Sequence, residues 1–491
     1  MAHKNDAEGF DLKHEIGFGE PTRRGLLGLA AASAAAASVL VGTTARATPG
    51  AAQDADHVIV IGGGFCGVTA ARELRHRGYR VTLLEARNRL GGRTFTSDFA
   101  GQQVDFGGTW IHWLQPHVWA EVRRYGVGLE ETPGAVADRI IYLDRAGKRH
   151  ETTTTEQWPR IEKAVFDLFD GGYPIMPRPA EPFADDTWIK SDTGSLRQKI
   201  DATAMPEDVR LFLDALILSW GNAPADEVSW VDMLRWYALC GYNLTVVNDA
   251  VTRFHVTGGT KTLLDAIAAD AAADVQLSTP ISSIRQFEDS VEVITETGDK
   301  LRAGAVVCAV PLNVLADIEF SPALSAAKAT ASKQRHAGQG TKVHILLDKA
   351  YDNFSGLGPG DKAPINFLLW EGIHEGKTHL IAFGPSAETL DMNDVGAVQE
   401  AVRAFLPDAT VSSAYGYEWN VDPYSKGTWG VSRPGQLSSA IGELQSSSGR
   451  VFFANADWAN GWRGFIDGAI EQGIVSARNV DALLMGARRP R

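Results

Sequence analysis

The chain has 491 residues, which at about 150 residues per domain corresponds to two or three packed units. Hydrophobic residues make up 44% and charged residues 22% of it, a balance that excludes a disordered or fibrous chain. The formal charge of -13 has the wrong sign for a phosphate backbone or an anionic lipid surface, so neither nucleic acid nor a membrane surface is expected as a partner. Three cysteines, Cys66, Cys240 and Cys308, show no CxxC and no zinc-like spacing; this excludes a disulfide framework, and no metal is expected.

Thr22-Arg23-Arg24-Gly25-Leu26-Leu27 precedes a stretch from Gly25 to Ala45 without charge, and Ala45-Arg46-Ala47 follows as an A-x-A cleavage pattern. Residues 1–47 therefore read as a twin-arginine export signal, which points to the periplasm or cell exterior. An uncleaved anchor is the alternative, because about 20 apolar residues can span a bilayer. The run is mostly alanine and glycine, however, and the mature chain is expected to be free of the membrane.

His57 to Ile61 is a β-branched run followed at once by Gly62-Gly63-Gly64-Phe65-Cys66-Gly67, a helical pattern to Gly78, and a second apolar run ending in Leu84-Glu85. This order is strand, glycine turn, helix, strand. Gly62 permits the tight turn, Gly64 lets a pyrophosphate approach the backbone, and Gly67 lets the helix pack close to the sheet. Glu85 then stands where an acid can accept hydrogen bonds from ribose hydroxyls, so a dinucleotide site is predicted. The next stretch, Glu85-Ala-Arg87-Asn-Arg-Leu-Gly-Gly92-Arg93-Thr94, reads as the extension of glutathione-reductase-type FAD proteins. There, glycines and an arginine approach the pyrophosphate and flavin. Gly107-Gly108 leading into Trp110 suits backbone that skirts a flat ring.

The segment from Val58 to Glu121 resembles the flavin-containing amine oxidases, the monoamine oxidase family, and His112 to Glu121 is similar to its bacterial nicotine-degrading branch. The resemblance extends over nearly everything after Asp56 and is strongest at 58–121 and 428–473. It implies an α/β fold in which a Rossmann-like FAD-binding domain of the glutathione-reductase type is interleaved with an α+β substrate-binding domain. The FAD-binding parts are expected at 56–130, 251–330 and 441–491, and the substrate parts at 131–250 and 331–440. Strands are expected at 275–281, 291–295 and 305–311, and helical patterns recur between 131 and 250.

The resemblance also implies roles. Ile281 would lie against the adenine. Lys342, at the start of an apolar strand, would hold a water against flavin N5. Trp429 and Phe465 would form an aromatic cage for the amine, and Ile466 would contact the flavin through its backbone. Thr428 stands where mammalian members carry a flavin-linked cysteine, so the FAD should be non-covalent. Asp457 replaces the family's glutamate near the ribityl chain, and Asn455 replaces a glycine. Phe367, Trp370 and Phe383 are expected to line the pocket.

The implied activity is FAD-dependent oxidation of a secondary or tertiary amine, of the type of nicotine, 6-hydroxynicotine or pseudooxynicotine. Hydride transfer to flavin N5 would give an iminium that hydrolyses, with dioxygen or a cytochrome as acceptor. An amino-acid or arylalkylamine oxidase, a flavin electron-transfer protein and a nicotinamide dehydrogenase are rivals. A homodimer is compatible with the chain.

Overall fold

The computed structural model describes residues 54–360 and 363–488. The expected export signal at 1–47 lies outside the described residues.

In chain order the elements that position the site are strand β1 (His57–Ile61), helix α1 (Phe65–His76) and strand β2 (Arg80–Leu84), then helices α2 (Glu207–Gly221) and α3 (Trp230–Leu239). Strands β3 (Asp274–Gln276), β4 (Ala305–Cys308), β5 (Thr341–Leu347), β6 (Phe367–His374), β7 (Lys377–Gly384) and β8 (Val451–Phe453) follow, and the chain closes on helix α4 (Ile466–Arg488). β3, β2, β1, β4 and β8 form one sheet in that order. All its pairs are parallel. Every residue of β1 is buried, as a parallel sheet covered on both faces requires. Each fully buried Val or Ile there contributes roughly 1.5–3 kcal/mol. The register sets Ile61 beside Leu84 and Cys308, so three strands end together where the glycine turn begins.

A second sheet of seven strands runs in the order Val411–Tyr415, β5, β7, β6, Phe354–Leu357, Arg139–Leu143, Arg149–Thr153. Its strands come from two distant stretches, one near 139–153 and one at 341–415. The nucleotide-type sheet likewise draws on three stretches separated by these. The fold is thus α/β and interleaved, as expected. The helical patterns of 131–250 include Thr154–Leu168, α2 and α3. One expectation needs correction: 275–281 is not one strand. It splits into β3 and the start of Ile281–Gln286, which belong to different sheets, and Ser278 between them has a positive φ.

Candidate active site

At the C-terminal end of β1, Gly62 has φ +103, and a Cβ there would lie 2.8 Å from the Ala309 carbonyl oxygen. Gly67 is more constrained still: its Cβ would fall 1.8 Å from the Gly62 carbonyl oxygen, so α1 crosses the turn in contact that only glycine allows. α1 begins at Gly64 with no side-chain cap and no acidic residue in its first turn. Its free N–H groups and dipole are those of an anion site. Glu85 accepts from Gly63 N (2.6 Å) and Arg87 N (2.8 Å), which sets its carboxylate at the mouth of the turn.

From this turn a cavity of about 740 Å³ runs into the molecule. Gly62, Gly64, Glu85, Arg87, Gly92, Arg93, Gly108, Trp110, Ile281 and Ile466 line it, and so do Lys342, Trp429 and Phe465. Gly67 sits behind the wall in its packing role. Asp457 is a correction: it does not line the cavity. Its buried carboxylate accepts from Arg93 Nη2 (2.6 Å) and from Leu312 N (3.0 Å). Burial opposes its charge, but Arg93 holds the carboxyl below the usual range. Asn455 takes the wall position instead and accepts from Arg93 Nη2 (2.9 Å). Arg93 also donates to the Thr428 carbonyl oxygen (2.9 Å), so it ties the 428–429 segment to the 455–457 turn. Arg87 is likewise engaged, donating from Nε and Nη2 to Asp422.

The inner end is walled by rings. Phe383 lies 6.3 Å from Phe367, 6.3 Å from Trp429 and 6.0 Å from Trp110, centroid to centroid. In a second group, Phe465 packs at 4.6 Å on Trp236, which stacks on Trp220. Trp429 Nε1 donates to the Trp220 carbonyl oxygen (3.0 Å), which joins the two groups. Trp370 does not line the pocket. Side chains alternate along β6, so Phe367 and Leu369 face the cavity while Trp370 turns away and donates to the Tyr351 carbonyl oxygen.

Lys342 is buried, and its ammonium donates to the carbonyl oxygens of Asp105 (2.7 Å) and Gly107 (3.0 Å) and to Thr109 Oγ1. Its nitrogen lies 4.9 Å from the Trp110 ring centroid. Burial lowers its pKa to about 8, with Asp105 and Glu371 opposing the fall. Two neighbours escaped the sequence reading, which treated this strand as otherwise apolar. His344 shares the Lys342 face of β5 and pairs with His379 at 3.0 Å; its Nε2 lies 3.1 Å from the Asp105 carbonyl oxygen. Glu371 is the other, its carboxyl pushed up to about 7 by burial, with an oxygen that has no hydrogen-bond partner. The i, i+2 alternation from Lys342 was the signal for His344; nothing local marked Glu371.

Residues 65–481 match the model of the flavin containing amine oxidoreductases. The chain belongs to this family. It is 38% identical over 481 residues to pseudooxynicotine dehydrogenase of Pseudomonas sp, covering 95% of this chain and 96% of that one. To nicotine dehydrogenase of Pseudomonas putida it is 34% identical over 478 residues, covering 97% and 98%. Among solved structures, putrescine oxidase bound to putrescine superposes with a TM-score of 0.75 at 22% identity, over 87% of this chain and 99% of the other.

As a flavin amine oxidoreductase the protein uses FAD, and the residues present fit it. The uncapped start of α1 suits the pyrophosphate, Glu85 the ribose and the ring-walled end the flat flavin. The dinucleotide-binding segments and the aromatic residues thus line one continuous cavity.

Proposed function

We propose that the protein oxidises the C–N bond of a secondary or tertiary amine of the nicotine type, with pseudooxynicotine, nicotine and 6-hydroxynicotine as the substrates to test first. The observation that carries this reading is the chamber between Trp429 and Phe465, ringed by Trp110, Phe367, Phe383 and Trp236. The carboxylates that line the cavity, Glu85, Glu296 and Asp317, belong to the nucleotide-binding segments and not to this end. An ammonium brought here meets rings and the Lys342 cation, and Glu371, a carboxyl that attracts that lysine, is pushed up to about 7 by burial, so the uncharged amine is favoured. Its nitrogen lone pair is then available to form C=N as the α-carbon gives up a hydride. Bound FAD supplies the two-electron acceptor. The two aromatic faces orient the α-carbon and exclude water, and the resulting iminium is hydrolysed after release.

An amino-acid oxidase would need a guanidinium for the substrate carboxylate. The two that line the cavity, Arg87 and Arg93, are held by Asp422 and by Asp457, Asn455 and Thr428. That favours an amine without a carboxylate. The relatives named for pseudooxynicotine and nicotine support the nicotine type. On this reading Thr428 leaves the FAD non-covalently bound, residues 1–47 direct export, and dioxygen or a periplasmic cytochrome takes the electrons. The test is anaerobic mixing of the yellow protein with a panel of amines. Bleaching by nicotine-type amines is expected; a flavin that stays oxidised with all of them overturns the reading.

A further inference from the structure

Asp232, Arg235 and Arg463 form a buried ionic cluster outside the cavity, and each is at most 2% exposed. Asp232 Oδ1 accepts from Arg235 Nη2 (3.0 Å), Arg235 Nε (3.2 Å) and Arg463 Nη1 (3.3 Å), while Oδ2 accepts from Ser432 N (2.8 Å). Arg235 also donates to the carbonyl oxygens of Gly461 and Arg463. Both segments so gripped lack helix or strand: Ser432 lies three residues after Trp429, and Arg463 two before Phe465. Glu471 completes the hold on the second, accepting from Asn460 N (2.9 Å) and Gly461 N (3.0 Å).

Burying such a triad costs more desolvation than apolar side chains of the same volume would, so stability alone does not account for it. What it supplies is direction, because a carboxylate and a guanidinium fork accept only narrow geometries. The post is α3, which carries Asp232, Arg235 and also Trp236, whose ring packs on Phe465. We propose that Asp232, with Arg235 and Arg463, is the positioning unit that sets the spacing of Trp429 and Phe465 and thereby the alignment of the bound amine. This rests on the aromatic-cage reading above and names the residues that enforce it.

The test is a double-mutant cycle of Asp232→Asn and Trp429→Ala in the FAD-loaded enzyme, read as FAD content, amine affinity and limiting rate of anaerobic flavin reduction by a nicotine-type amine. Asp232→Asn is expected to keep its FAD while the limiting rate falls about ten- to a hundredfold, the size of effect a misplacement near 1 Å produces. The double variant is expected to be no slower than Trp429→Ala alone. A wild-type rate in Asp232→Asn, or penalties that multiply in the double variant, overturns the proposal and leaves the cage standing. A wild-type rate in Trp429→Ala overturns the cage and the proposal together. Should Asp232→Asn not accumulate as soluble flavoprotein, Arg235→Lys keeps the charge and loses the fork. The same cycle is then read with that variant, and the same outcomes decide.

Discussion

Lys342 is the residue whose chemistry is most altered by its surroundings. Three acceptors take the three protons of its ammonium, yet burial still brings its pKa down to about 8. Desolvation outweighs the attraction of the Asp105 and Glu371 carboxyls, which oppose the fall. The group therefore passes from cation to neutral amine as pH rises through about 8. The rate of flavin reduction should show an inflection in that region in the wild type and lose it in Lys342→Met. That variant should also turn over about a hundredfold more slowly, the magnitude typical of a lost preorganised charge at a reacting centre, with FAD retained. A rate near wild type, or an unchanged profile, removes Lys342 from the reacting centre.

At the scale of elements, the crossing of β1 and α1 is decided by a single missing methyl group. A Cβ on Gly67 would stand 1.8 Å from the Gly62 carbonyl oxygen, a backbone atom that cannot rotate away. Gly67→Ala is thus expected to push α1 off the sheet at a cost of about 3 kcal/mol or more. Because that displacement moves the start of α1, the variant should also purify with much less FAD. Absorbance at the flavin band relative to protein, with a thermal melt, checks both; full flavin content would show that the crossing tolerates the methyl group. The far end of α1 is anchored differently, by Arg72, whose buried guanidinium donates to both oxygens of Glu121 on helix Pro116–Tyr125.

For the whole molecule, the cavity is the consequence of interleaving. Its walls come from the parallel sheet, from the seven-stranded sheet and from α2 and α3, so residues from 61 to 469 along the chain line one cavity. A ligand that binds only this assembled state stabilises it by mass action. At a hundredfold excess over its dissociation constant, FAD should add about 2.7 kcal/mol, or roughly 3 °C in melting temperature for a chain of this length. Calorimetry of the FAD-stripped protein with and without added FAD checks this. Melting the loaded enzyme and spinning out the polypeptide should leave the yellow colour in the supernatant. Colour retained on the pellet would contradict the expectation drawn from Thr428.

Local pattern was enough for the strand, glycine turn and helix, because the positive φ at Gly62 and the approach of Gly67 to the Gly62 carbonyl oxygen act within a few residues and favour glycine. The roles of Lys342, Trp429 and Phe465 were legible only through likeness to a family, since nothing short-range distinguishes a cage ring from a core ring. Tertiary structure alone decided that Asp457 lies behind the cavity wall with Arg93. It also decided that Trp370 turns away, that His344, His379 and Glu371 gather beneath Lys342, and that Asp232 grips two loops from below. Those outcomes depend on which face of a strand or helix meets a partner far along the chain. Burial and charge pairing between such partners are set by the packed fold, where desolvation makes each pairing consequential.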